Sequence, residues 1–197
     1  MGYSLSWVAT KGLAPDDVLA KLGVSRTGGF AEYAEYPLSA AELPSGWFLL
    51  VARGCDHAIL ESEVLARLSE DGCHVVACSV EEHVMYCSAE EWRAGARLWG
   101  AQHDAQKGML HLKSDGSPPV GFDEVQRTYA DHQRAEGGEK ADVDYYFEIP
   151  LQTAKSIVGF KHDEATPNLE PASFESVVGS LGSRHRDSKR SWWRFWR

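Results

Sequence analysis

The chain has 197 residues, enough for one domain that buries its own core without disulfides or a structural metal. Its composition, 43% hydrophobic and 25% charged, is ordinary for a globular protein and excludes fibrous, collagen-like and low-complexity classes. The formal net charge is −9, unevenly placed: Gly182–Arg197 holds six cations against Asp187 alone, a net of +5, which leaves −14 on residues 1–181. A body that acidic repels nucleic acid and anionic membrane and suits a basic protein partner.

The N-terminal MGYSLSWVATKG lacks a basic start followed by an apolar run, so no signal peptide is expected. No stretch approaches the ~20 apolar residues that span a bilayer. A cytoplasmic location follows as an expectation. Cys55, Cys73, Cys78 and Cys87 then read as free thiols, three of them in or beside apolar strand-like runs.

Tyr3 to Ala9 alternates and predicts a strand. Pro15-Asp16-Asp17 opens a short helix whose stripe is Val18, Leu19 and Leu22, and Gly23 stops it. Residues 24–45 carry no strong period, and Thr27-Gly28-Gly29 and the Pro37–Pro44 stretch read as loop. Trp47 to Ala52 is apolar on both faces, as a central strand would be. Leu60, Val64, Leu65 and Leu68 predict a second helix, stopped by Gly72.

Four strand-like runs follow, Cys73–Val80, Val84–Ser88, Arg97–His103 and Lys107–Lys113. They predict an antiparallel meander, with a hairpin turn at Asp104–Gln106. After Pro118-Pro119, the spacing of Phe122, Val125, Tyr129 and His132 predicts a helix that fades at Gly137-Gly138. Val143, Tyr145, Phe147 and Ile149 alternate as a strand. Pro150 then opens a helix with Leu151, Ala154, Ile157 and Val158 inside and Gly159 as its stop. Phe174–Leu181 reads as one last short element. Clustered strands with helices at intervals predict a single α+β domain over residues 1–181, with a largely antiparallel sheet and helices mainly on one face. Residues 182–197 form a basic Trp/Arg-rich tail.

No phosphate-binding glycine loop, zinc-binding His-Glu-x-x-His, Cys-x-x-Cys or Gly-x-Ser-x-Gly elbow occurs. Three weaker constellations remain. Glu81-Glu82-His83 joins two strands and offers a histidine beside carboxylates, suited to general-base chemistry or to metal ligation. His103-Asp104 and His162-Asp163 each close an element, where functional loops often lie. Were His83, His103 and His162 to converge, they would form a metal site. Cys55-Asp56-His57 pairs a thiol with a histidine, but adjacent side chains diverge in strands and turns.

In the tail, Arg190 and Arg194 interleave with Trp192, Trp193 and Trp196. That pattern suits an acidic surface, on another protein or on this body, or a membrane interface, and less readily nucleic acid. Size, acidity and element order resemble, in a general way, the small cytosolic immunity and inhibitor proteins of bacteria. The leading expectation is therefore a non-catalytic protein that binds a basic protein partner, with Glu81, Glu82, His83, Asp104 and Asp163 as contacts and no cofactor. One alternative is a metal-dependent hydrolase using histidines and carboxylates from strand-end loops. Another is an assembly subunit that docks through its tail.

Overall fold

A computed structural model describes residues 2–179. The elements run β1 (Ser4–Lys11), α1 (Pro15–Leu22), β2 (Val24–Ala31), β3 (Leu38–Glu42), β4 (Phe48–Arg53), α2 (Ser62–Leu68) and β5 (His74–Glu81). They continue with β6 (Tyr86–Arg93), β7 (Ala96–Asp104), β8 (Lys113–Gly116), α3 (Phe122–Ala135), α4 (Glu148–Val158) and β9 (Phe174–Gly179). One sheet takes all nine strands in the order β2-β9-β3-β4-β1-β5-β6-β7-β8, and every pairing is antiparallel. The α+β architecture expected from the element pattern is thus present.

The core lies on both sides of this sheet because its central strands alternate between two buried faces. On β1, Leu5, Trp7 and Ala9 belong to one apolar cluster, whereas Val8 belongs to the other. The first cluster is roofed by Phe122 of α3 and by Ile149, Leu151, Ala154 and Val158 of α4. The second is roofed by Val18, Leu19 and Leu22 of α1 and by Val64, Leu65 and Leu68 of α2. Two helices therefore cover each face, in place of the one-sided packing that the sequence suggested. Each fully buried Leu, Ile or Val contributes about 1.5–3 kcal/mol, so both faces are needed to hold so broad a sheet.

Local chemistry sets the ends of the helices. Pro15 fills the first position of α1, and Gly23 ends it at φ 70°, a conformation that costs glycine nothing. Gly159 closes α4 in the same way at φ 84°.

Three expectations are corrected. Thr27-Gly28-Gly29 is not loop but lies within β2, and most of the Pro37–Pro44 stretch forms β3. The run Lys107–Lys113 is no strand, and Asp104–Gln106 is no hairpin turn. The Asp104 carboxylate instead accepts the Gln106 amide and caps a single turn of 3₁₀ helix, Ala105–Lys107, and β8 begins only at Lys113. Val143–Ile149 is no strand either. Gln133 of α3, wholly buried, donates to the carbonyls of Gly138 (2.8 Å) and Val143 (3.1 Å) and accepts the Tyr145 amide (2.7 Å). That one side chain satisfies the backbone groups that a sheet partner would have taken.

No helix among the described residues is long and apolar enough to cross a membrane. The tail residues Arg190, Trp192, Trp193, Arg194 and Trp196 lie outside the described residues.

Candidate functional site

Glu81-Glu82-His83 and the His162-Asp163 half of the second constellation meet at one end of the sheet. The turn after β5 brings Glu81, Glu82 and His83 beside the segment that follows α4. The Glu82 carboxylate accepts the Tyr3 amide at 2.8 Å and stands 3.0 Å from Nε2 of His162. The His162 ring is almost wholly buried, sits edge-on to Tyr3 at 5.2 Å, and has no hydrogen-bond partner at Nδ1 among the described residues, the Asp163 carboxylate standing 3.8 Å away. Glu81 faces Nδ1 of His83 at 2.6 Å. Hydrogen bonds from Ser4 and His83 hold its carboxyl below the ordinary carboxylate range.

Asp163 turns to the buried ammonium of Lys161 at 2.7 Å, and Glu148 of α4 closes on the same ammonium at 3.1 Å. Burial works against the charge of Lys161, but these carboxylates more than offset it and raise its pKa above the ordinary lysine value.

The third histidine stands apart. His103 of β7 is fully buried, with Nδ1 2.7 Å from the His111 carbonyl and Nε2 2.9 Å from Asp144. Asp144 also accepts the Phe147 amide, so the pair ties the start of α4 to β7. Its neighbour Asp104 is buried against Lys107 and the Gln106 amide. His83, His103 and His162 each face a different carboxylate. Among the described residues no group of three or more His, Cys, Asp or Glu is placed to hold a metal ion.

Cys55 and His57 do not cooperate. Nδ1 of His57 accepts the Ile59 amide, and burial lowers the pKa of this ring. Burial also pushes the Cys55 thiol up, away from thiolate character.

A broad concavity adjoins His162. It is a cleft of about 710 Å³ between the start of β1, the end of β4, the segment after β2 and the segment after α4. Its floor is apolar, from Leu5, Val51, Phe160, Leu169 and Phe174. Tyr3 and Tyr33 stand over it, 49% and 68% exposed, far more than is usual for aromatic rings.

The rim is acidic. Asp163 and Glu164 are neutralised by Lys161 and Lys155, but Glu32, Glu35 and Glu170 make no ion pair among the described residues. Arg53 is the only Lys or Arg in the cleft lining among the described residues, and its guanidinium donates to the Glu35 carbonyl. A second hollow, about 250 Å³ on β6–β8, differs in kind, because its Arg97 pairs with Glu90 at 3.2 Å and with Asp115 at 2.6 Å. Both of its carboxylates are paired with Arg97, whereas the cleft leaves negative charge beside exposed aromatic surface.

Of the residues singled out from sequence, Asp163, named as a partner contact, and His162, named as a possible metal ligand, line this cleft, whereas Tyr3, Glu32, Tyr33, Glu35 and Glu170 were missed as a group. One signal was available. Residues 31–36 read Ala-Glu-Tyr twice in succession, which sets acids and aromatics side by side on a single short segment.

Comparison with protein-family models, with curated proteins and with solved structures finds no match to this chain.

Proposed function

We propose that this protein is a non-catalytic binding protein of the cytoplasm, of the immunity or inhibitor type, and that it engages a basic protein partner through the acidic cleft. The observation that carries this reading is the pairing of unneutralised Glu32, Glu35 and Glu170 with an apolar, tyrosine-crowned floor. Carboxylates of this kind steer a cationic partner and fix its register, while buried apolar and tyrosine contacts supply most of the affinity. The contact set accordingly moves from the acids first named. Asp163 stays on the rim, whereas Glu81, Glu82 and Asp104 are engaged within the fold.

The test uses full-length chain in which Trp192, Trp193 and Trp196 are replaced by Ser and Arg190 and Arg194 by Gln, so that the chain's own basic segment cannot compete. A labelled peptide of Arg, Trp and Ser should bind this protein in a salt-dependent manner, and an acidic peptide of equal length should not. Adding Glu32→Lys, Glu35→Lys and Glu170→Lys should weaken binding at least about tenfold, equivalent to 1.4 kcal/mol. Equal affinity for the charge-reversed protein would refute the reading.

A further inference from the structure

We propose that the acidic cleft is a docking seat for this chain's own segment Arg190–Trp196, so that an outside partner must displace an intramolecular competitor. The inference rests on the cleft being the binding surface described above and names its resident occupant.

Three observations carry it. The first is charge. Residues 182–197 hold a net +5, and the cleft rim offers Glu32, Glu35 and Glu170, none in an ion pair among the described residues. The second is side-chain chemistry. Arg190, Trp192, Trp193, Arg194 and Trp196 alternate cations with indoles. The cleft answers with carboxylates around an apolar floor and with the exposed rings of Tyr3 and Tyr33, on which an indole or a guanidinium can stack.

The third is reach. β9 starts in the cleft floor at Phe174 and runs to Gly179, a step of roughly 17 Å at strand spacing. Residues 180–189 can span up to about 33–36 Å when extended, about twice the return distance. A segment tethered this closely meets the cleft at an effective concentration on the order of millimolar, which favours modest contacts within the chain over the same contacts between molecules.

Tryptophan quenching tests the proposal in the full chain. Trp7, Trp47, Trp92 and Trp99 are all buried, so fluorescence quenched by acrylamide reports on Trp192, Trp193 and Trp196. The wild-type chain should show weak quenching that does not change with protein concentration. Glu32→Gln with Glu35→Gln and Glu170→Gln should raise the quenching constant about two-fold or more. The same change should have no effect when Trp192, Trp193 and Trp196 are Phe. These carboxylates hold no ion pair among the described residues, so melting temperature serves as the folding control.

Equal quenching with and without the cleft carboxylates would overturn the proposal, and so would quenching that falls as protein concentration rises. If the Arg/Trp peptide binds the tail-substituted chain while wild-type quenching ignores the cleft, the binding reading stands and this one falls. If the peptide fails to bind the tail-substituted chain, the binding reading falls, and this proposal, which rests on it, falls with it.

Discussion

Glu82→Ala probes the join that builds one wall of the cleft. The carboxylate fastens the Tyr3 amide and the His162 ring to the turn after β5, and both residues line the cleft. Hydrogen bonds to a charged group are worth about 1.5–3 kcal/mol, and the exposed setting of the Tyr3 amide puts that bond at the low end. Removing the side chain also strands the buried His162 ring, which has no hydrogen bond at Nδ1 among the described residues and would lose the one at Nε2. The expected loss is about 2 kcal/mol. For a chain of this size that lowers Tm by about 4–8 °C. Glu82→Gln keeps an acceptor of the same shape and should cost about half as much. Thermal unfolding followed by far-UV circular dichroism at pH 7.5 measures both. A Glu82→Ala melt within 1 °C of wild type would show that the join carries no stability.

Two further outcomes concern the rest of the fold. Gln133→Leu leaves the Gly138 and Val143 carbonyls and the Tyr145 amide without partners, at about 1 kcal/mol for each. A loss of about 3 kcal/mol is expected by urea unfolding, and a loss below about 1 kcal/mol would remove Gln133 from its organising role. The pH response has a defined sign. Burial holds His57, His74 and His111 below the ordinary value of 6.5, so as pH falls through that value the unfolded chain takes up protons that the folded chain refuses. Stability should decline from pH 7 toward 5. Asp163, which Lys161 holds below its ordinary value despite its own burial, extends the loss to lower pH. Half-buried Glu90, whose pKa desolvation raises, opposes it. Melts at pH 7.5 and 5.5 give the comparison, and a higher Tm at the lower pH would contradict the assignment.

How much of this was legible in the sequence varied with what each segment is paired to. Helices α1 and α4 announce themselves through a proline at one end and a left-handed glycine at the other, both local signals. β4 is legible because a strand buried on both faces is apolar throughout. β2 is not. It is an edge strand exposed over most of its length and broken by an irregularity between Arg26 and Phe30, so it shows no alternation. β3 is built largely from Ser39, Ala40 and Ala41, small residues that become a strand because β4 and β9 flank them. The false strand at Val143–Ile149 shows the reverse case. Its alternation is genuine, but the amide of Gln133, ten residues upstream of Val143, takes the backbone bonds first.

The candidate site divides in the same way. Glu82 and His162 stood out individually, but their contact spans eighty positions of chain. The cleft draws on four separate segments, two of which lack any periodic signal. Only the doubled Ala-Glu-Tyr at residues 31–36 pointed to it locally.

The place of β9 in the sheet has a bearing on how the molecule is made. The last strand among the described residues slots between β2 and β3, so this edge of the sheet cannot zip shut until residue 179 has been synthesised. Until then a nascent chain presents β3 as an open edge, the kind of surface on which stray strands add. Closure of that gap joins residues about 150 positions apart, which makes it a slow step in assembly and exposes a chain cut short before Phe174 to aggregation.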